Sequence, residues 1–132
     1  MYKENIEELA NRNRRLDPFY NEIDSAKLFR EIKNETQEAI EEYEKWDFEE
    51  LESELWDVYW DFLLLTQKLE DEWKIKVENI YEKICEKITR RKTFLVKNQE
   101  VTKEQAVEIW NNAKRKEWYH ENRLWDENRD KN

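Results

Sequence analysis

The feature of this sequence that most restricts its fold is the absence of glycine. In 132 residues there is no glycine and only one proline, Pro18. Tight hairpins and phosphate-binding loops depend on glycine, because glycine adopts positive φ without steric strain. No segment alternates apolar and polar residues for long enough to indicate a sheet. The chain is therefore predicted to be all-α and to form a single domain over residues 1–132.

Capping residues and apolar residues at helical spacing predict where the helices begin and end. Asp24 or Ser25 is expected to cap the first long helix, and Asp47 the second. Thr102 and Gln105 have the spacing of a capping box at the start of the last helix. The predicted helices span residues 3–15, 24–45, 48–70, 77–91 and 103–119, and a polar tail over 120–132 is expected to fray.

The composition excludes several classes of function. The net charge of −9 disfavours electrostatic binding of nucleic acid. No apolar run reaches the 18 or so residues of a membrane-spanning helix, and the N-terminal segment has no signal-peptide core. A single cysteine, Cys85, excludes a disulfide framework and favours a cytoplasmic location. Cys85 falls on an apolar helix face, so it is expected to be buried.

Two acidic stripes run directly beside the apolar faces of helices 24–45 and 48–70. Helix 48–70 is apolar around most of its circumference, so it is expected to lie at the centre of the assembly. Between Lys45 and Lys68 the chain has seven acids and no Lys or Arg, so no partner within the helix neutralises them. The stripes consist of Glu31, Glu35, Glu38 and Glu42 on the first helix and Glu50, Glu54, Asp57 and Asp61 on the second.

Compensation for the second stripe must come from outside its own helix. A basic helix, raised carboxyl pKa values or bound cations would each provide it. Carboxylate oxygens are the hard ligands that Mg²⁺ or Mn²⁺ select, and two helices that each present acids three residues apart are able to converge on one cation. The alternative is that the stripes are solvated faces with opposite charges nearby. Spacing alone does not decide between these two interpretations.

Four short motifs follow one another in the chain. Glu35 and Glu38 form ExxE, and Glu54 and Asp57 form ExxD. The order of these two motifs resembles the motif pattern of the MazG-like nucleoside triphosphate pyrophosphohydrolases, which belong to the all-α NTP pyrophosphatase superfamily. CEKITRRKTF is similar to that family's Lys-x-x-Arg-Arg segment, and EIWNNAKRKEW is similar to its Trp-x-x-x-Lys segment. The resemblance covers about residues 16–118.

Three positions depart from the family pattern. Trp56 stands where glycine usually precedes the motif aspartate, and Asn34 stands where a glutamate usually precedes the first motif residue. Lys92, Thr93 and Phe94 stand where the family often has His-Pro-His. The bulky ring of Trp56 is expected to alter helix packing or the nucleotide pocket. None of the departures removes a motif acid.

The resemblance implies an Mg²⁺-dependent hydrolase, with Mn²⁺ as the alternative cation. Its substrate would be a nucleoside or deoxynucleoside triphosphate, its products the monophosphate and pyrophosphate, and its role the removal of unwanted nucleotides. The implied site residues are Glu35, Glu38, Glu54 and Asp57 for metal binding and catalysis, and Lys87, Arg91, Trp110 and Lys114 for substrate binding.

The sequence leaves other interpretations of these residues open. Lys87 and Arg91 also suit the C-terminal end of a helix dipole, and Trp110 has the spacing of a core aromatic. Asp61 and Glu31 lie outside the motifs, where each either supports the ligands or is solvated, with solvation favoured for Glu31.

The resemblance also implies how the chain assembles. Family members bury their central helices across a two-fold axis, so a four-to-five-helix bundle packed as a homodimer is expected, with a tetramer as the alternative. Aromatic residues make up 14% of the chain, more than the thin core of a few short helices would cover. The competing functional hypothesis is a non-catalytic helical dimer whose acids form a surface for protein interaction.

Overall fold

The protein is described by a computed structural model that defines the backbone of residues 1–130 and the side chains of residues 1–122. Across residues 1–130 there are seven helices and no strand, which confirms the predicted all-α class. The chain divides into two compact units, Met1–Val77 and a second beginning at Glu78, so the predicted single domain stays a prediction. The helices are α1 (Tyr2–Leu16), α2 (Pro18–Glu22), α3 (Ser25–Glu44), α4 (Phe48–Asp71), α5 (Val77–Arg91), α6 (Thr93–Val96) and α7 (Lys103–Asp130).

The predicted N-caps are formed. The carboxylates of Asp24 and Asp47 each accept a hydrogen bond from the backbone N–H three residues later, at 2.7 and 3.2 Å. Thr102 and Gln105 exchange two hydrogen bonds, at 3.0 and 3.2 Å, as a capping box. Local hydrogen bonding therefore sets the starts of α3, α4 and α7 where the sequence predicts them.

Two parts of the helix prediction need correction. Pro18 opens a short helix, α2, that was not among the predicted helices, because proline suits the first turn of a helix. The last helix does not end at residue 119 as predicted: α7 continues to Asp130, and residues 131 and 132 lie outside the described part. Residues 120–130 contain neither glycine nor proline to stop a helix.

Three helices end on residues in the left-handed conformation, where glycine is usual. Trp46, Trp73 and Asn98 have φ values of 60°, 61° and 48°. Each follows a helix C-cap, and the next backbone N–H reaches back five residues, as in Asp47 N–H to the Glu42 carbonyl at 3.1 Å. Because the chain has no glycine, residues with side chains take these left-handed positions, and their Cβ atoms strain the backbone there.

In the first unit, α4 packs mainly against α3 and more lightly against α1. A loop of three residues joins α3 to α4, so the two long helices run antiparallel. The buried side chains are few and mostly small or aliphatic. The buried apolar residues are Ala10, Tyr20, Leu28, Ala39 and Leu65.

A polar network ties α1 and α2 to the C-terminal end of α4. The Tyr20 hydroxyl donates to Asp71 at 2.7 Å, and the Lys68 ammonium donates to the Tyr20 carbonyl at 2.8 Å. Lys68 also lies 4.8 Å from the centre of the Tyr20 ring. Arg14 reaches Asp71 at 3.4 Å. Lys68 and Arg14 are therefore engaged at the C-terminal end of α4, away from its acidic middle.

In the second unit, α5 has no buried residue. Cys85 is exposed among the residues whose side chains are described, so the prediction that it is buried is wrong for the single chain. Of the helices in the described residues, none has the length and apolar character needed to cross a membrane.

Replacement of Trp73 tests the strain at the helix ends. Trp73 is 92% exposed, so its substitution removes little packing. Trp73→Gly is expected to raise the free energy of unfolding by about 1 kcal/mol relative to Trp73→Ala, because only glycine relieves the left-handed backbone. Urea unfolding followed by circular dichroism measures the difference. Equal stability of the two variants would contradict a strained cap.

Candidate functional site

The predicted acids lie on facing turns of α3 and α4. The carboxyl of Glu35 is within hydrogen-bonding reach of Asp61, and that of Glu38 is within reach of Glu54. Asp57 lies between these pairs and feels the charges of Asp61 and Glu38. The antiparallel register of the two helices produces this arrangement, because later residues of α3 meet earlier residues of α4. The structure therefore brings together all four acids of the two motifs and adds Asp61.

No basic side chain neutralises this cluster in the part of the chain whose side chains are described. Within residues 1–122, none of the five carboxylates forms an ion pair with Lys or Arg. Lys45, at the end of α3, pairs instead with Glu42 at 3.7 Å. Of the compensations considered from the sequence, a basic partner helix is therefore absent from the residues described.

Among the five acids, Glu35 has the most strongly shifted pKa. Burial, followed by the hydrogen bond to Asp61 and the negative charges of Asp61, Asp57 and Glu31, together raise the pKa of Glu35 to about 8. Its Oε2 atom is closed off from solvent and meets no hydrogen-bond donor among the described residues. A carboxyl held in this way favours its protonated form, and its Oε2 lacks the partner that a buried oxygen requires.

The pKa values of two further motif acids, Glu54 and Asp57, are also raised. Burial raises the pKa of Glu54, with added contributions from the Glu38 carboxyl and the charge of Asp57. Burial and then the charge of Asp61 raise the pKa of Asp57. Raised carboxyl pKa values are therefore one form of compensation that the cluster uses, as the sequence allowed.

The donor chemistry of the cluster fits a hard divalent cation. All five groups offer carboxylate oxygens, and the partnerless Oε2 of Glu35 is the kind of atom that a bound cation would satisfy. The side chains stand as facing pairs rather than as a closed cage. Within residues 1–122, no three Asp, Glu, His or Cys side chains already lie close enough to hold a metal ion.

Of the predicted substrate-binding residues of the second unit, Arg91 and Lys114 lie around the ring of Trp110, whereas Lys87 does not reach it. The guanidinium of Arg91 lies 5.2 Å from the centre of the Trp110 ring, and the ammonium of Lys114 lies 5.9 Å from it. Lys92 adds a third cation at 5.8 Å. Trp110 is half-buried, so it is neither a fully buried core aromatic nor an open stacking surface.

Glu117 is the anionic partner of this basic cluster. Its Oε2 accepts from Arg91 at 2.8 Å, and its Oε1 lies 3.4 Å from Arg90. The hydrogen bond from Arg91, followed by the charges of Arg91, Arg90 and Lys87, holds the pKa of Glu117 below its ordinary value. The same hydrogen bond raises the pKa of Arg91. Lys87 itself is exposed on α5.

The sequence interpretation missed three residues of these clusters. Asp61 was left as either a supporting residue or a solvated one, although it lies one helical turn beyond Asp57. Lys92 was noted only as a departure from the family pattern. Glu117 carried no sequence signal, because its partner Arg91 is 26 residues away in the chain.

Trp56 lies on the exposed side of α4 in the single chain. Its side chain is 59% exposed, so it points away from the buried face of α4. The expectation that its bulk alters helix packing or the nucleotide pocket stays a prediction.

Glu35 makes the stability of the apo-protein depend on pH. Its folded pKa of about 8 lies above its ordinary value of 4.5. Its stabilising contribution is therefore complete below pH 4.5 and is lost as the pH rises through 8. Glu35→Gln should reduce this loss by about 1 to 2 kcal/mol, allowing for solvent screening. Urea unfolding in EDTA at pH 5, 7 and 9 measures the free energy of unfolding of the wild type and of Glu35→Gln. The exposed Glu41→Gln on α3 is the control, and equal pH profiles for both variants would contradict the assignment.

Comparison with known proteins agrees with the motifs. The family model of the MazG nucleotide pyrophosphohydrolase domain matches residues 24–95, more than half of the chain. The structure of a MazG-related protein from Thermotoga maritima superposes with a TM-score of 0.79 at 28% sequence identity, covering 85% of this chain and 98% of that one. No curated protein sequence matches the chain. The chain belongs to the MazG nucleotide pyrophosphohydrolase domain family.

Proposed function

We propose that this protein hydrolyses a nucleoside or deoxynucleoside triphosphate to the monophosphate and pyrophosphate, in an Mg²⁺-dependent reaction. One observation carries the proposal: the motif acids of α3 and α4 face one another with no basic partner within residues 1–122. Desolvated acids without a counter-charge lower stability, and a site with strongly perturbed pKa values is a candidate functional site. Membership of the MazG family supplies the reaction class.

The four motif acids would hold the cation. Glu35 and Glu38 would bind it from α3, and Glu54 and Asp57 from α4, with Mn²⁺ as an alternative to Mg²⁺. When bound, the cation would offset the charge of the triphosphate and lower the pKa of a coordinated water. A carboxylate of the cluster that is not fully engaged would orient the attacking water and accept its proton.

Within the second unit, the basic cluster around Trp110 would bind phosphate groups. The guanidinium of Arg91 has a fork of donors suited to two phosphate oxygens, and Lys87 and Lys114 supply point charges. Glu117 occupies Arg91 at 2.8 Å in the substrate-free protein, so it holds the guanidinium in place and would compete with an incoming phosphate. Trp110 would give a surface for stacking of the base, beside the cations of Arg91 and Lys114 at 5.2 and 5.9 Å from the centre of its ring.

Removal of unwanted nucleotides and a cytoplasmic location remain parts of the proposal. A reaction that consumes triphosphates acts on the cellular nucleotide pool, and one cysteine indicates no disulfide framework. The competing hypothesis keeps the acids as a non-catalytic interaction surface. The two hypotheses differ in whether the protein turns over a nucleotide.

Incubation with nucleotides tests the proposed reaction. The protein is expected to release monophosphate and pyrophosphate from at least one member of a panel of NTPs and dNTPs, with Mg²⁺ and not in EDTA. Glu38→Ala and Asp57→Ala should each lower the rate by at least about 100-fold, because metal ligands matter more than the groups that support them. Chromatographic separation of the nucleotides gives the rates.

The exposed Glu41→Ala on α3 is the matched control, and it should retain the wild-type rate. Circular dichroism checks that each variant remains helical. A wild-type protein that cleaves no nucleotide in the panel would refute the enzymatic proposal and favour the interaction surface.

We also propose that the protein is a homodimer, with a tetramer as the alternative. Leu55, Tyr59 and Phe62 recur at helical spacing on one side of α4, and all three are exposed in the single chain, Tyr59 by 75%. Trp56 lies beside them and is exposed as well. Contiguous exposed apolar side chains of this kind are typical of protein interfaces.

Light scattering tests the assembly. The wild-type protein is expected at twice the chain mass of 16.7 kDa or at a higher multiple. Tyr59→Lys should shift it towards the monomer, because a charge on this face opposes burial. Tyr2→Lys, which places the same charge on an exposed tyrosine of α1, is the control. A wild-type monomer at micromolar concentration would count against the dimer.

A further inference from the structure

We infer that a second copy of this chain lies antiparallel along α4, with Tyr59 near the two-fold axis and Trp46 of each copy against the partner's Trp73. The inference rests on the proposed homodimer. It adds to that proposal the direction of the partner helix and the residues that meet at its ends.

Two exposed tryptophans lie at opposite ends of α4. Trp46 precedes the helix and is 79% exposed, and Trp73 follows the helix and is 92% exposed. Both have left-handed backbone, with φ values of 60° and 61°. Glycine at either position would relieve the strain and remove an apolar ring from water. Strained residues cluster at functional positions, so the two rings need an explanation beyond helix capping.

Between the two tryptophans, α4 presents a stripe of apolar residues at heptad spacing. Phe48, Leu55 and Phe62 recur every seven residues, and Tyr59 lies between the last two. All four side chains are exposed in the single chain. This spacing is typical of two helices that pack side by side at a crossing angle of about 20°. At so small an angle, the ends of one helix stay close to the ends of the other.

The positions of the tryptophans fit a two-fold axis at Tyr59. Tyr59 lies 13 residues after Trp46 and 14 residues before Trp73. Each tryptophan is therefore about 20 Å from Tyr59 along the helix. A two-fold axis that crosses α4 at right angles at this residue brings Trp46 level with the partner's Trp73. The same contact then forms at both ends of the helix pair, as an isologous interface requires.

The charges at the ends of α4 favour an antiparallel partner over a parallel one. Residues 47–52 carry four acids and no base, whereas residues 68–76 carry three lysines and three acids. A parallel partner would set two acidic helix ends side by side, and like charges opposed across an interface are unfavourable. An antiparallel partner sets each acidic end beside a neutral end. Lys76 at that end is exposed and forms no ion pair within residues 1–122.

Cysteine cross-linking of the full chain tests the contact. Cys85→Ser first removes the exposed native thiol. In that background, Trp46→Cys/Trp73→Cys is expected to form at least about tenfold more covalent dimer with oxidised glutathione than either single variant. A disulfide within one chain is excluded, because the ends of the 24-residue helix lie about 36 Å apart and a disulfide joins Cα atoms within about 7 Å. Non-reducing gels and peptide mapping identify the bond.

Tyr2→Cys/Trp73→Cys is the matched control for cross-linking. Tyr2 is also an exposed aromatic residue, but it lies on α1. This variant should form no more covalent dimer than the single variants do. If Trp46→Cys alone cross-links as well as the double variant, the helices are parallel and the inference is wrong.

A distance measurement that keeps both tryptophans provides a second test. Lys45→Cys, in the Cys85→Ser background, carries a nitroxide label at an exposed position beside Trp46. In an antiparallel dimer the two labels are expected about 40 Å apart, because each lies about 20 Å from the two-fold axis. In a parallel dimer they would lie within about 20 Å of each other. Pulsed electron paramagnetic resonance measures the distance.

The outcomes separate the inference from the proposals on which it rests. Cross-linking confined to the double variant, together with the long label distance, supports the contact between Trp46 and the partner's Trp73. A dimeric double variant that does not cross-link refutes the contact, and if the double variant is monomeric, the label distance decides. A short label distance refutes the antiparallel arrangement, while the homodimer stands. A wild-type monomer refutes the homodimer and the inference together, and nucleotide cleavage tests the enzymatic proposal independently of both.

Discussion

The packing of α3 against α4 places carboxylates opposite one another, and their mutual repulsion is the electrostatic cost that the first unit must offset. The two helices pack as an antiparallel pair, and their buried side chains, such as Leu28 and Leu65, hold them together. The same register sets Glu35 against Asp61 and Glu38 against Glu54. Apolar packing therefore holds in place an arrangement that electrostatics opposes.

The bases of the first unit explain why the repulsion persists. Lys68 and Arg14 are engaged with Tyr20 and Asp71 at the C-terminal end of α4, where they fasten α1 and α2. Within residues 1–122 no base forms an ion pair with the acids in the middle of the helix, so solvent, proton uptake, a bound cation or a group outside these residues must compensate for them. Because the folded cluster binds protons more tightly than the unfolded chain, its stability, protonation and cation affinity are linked.

The sequence predicts features set by nearby residues, such as the helix starts, but not which side chains of two different helices face each other. The starts of α3, α4 and α7 follow from side chains that bond within three residues of themselves, as at Asp47. Spacing and family resemblance also identified the acids of the two motifs. The facing of Glu35 with Asp61 depends on the register of two helices, and the left-handed Trp73 depends on a helix end that lacks glycine. The exposure of Cys85 depends on which face another chain or element covers.

The partial burial of Glu35 favours the proposed cation site over an acidic interaction surface. A surface that attracts a basic partner needs ionised, accessible carboxylates, and exposed residues such as Glu41 and Glu44 supply these without opposing the fold. Burial instead raises the pKa of Glu35 towards 8, which reduces its charge at neutral pH and lowers the stability of the folded chain as the pH rises. Such a group contributes little to attraction at a distance. In the proposed function, a divalent cation between α3 and α4 would take the place of the proton on Glu35.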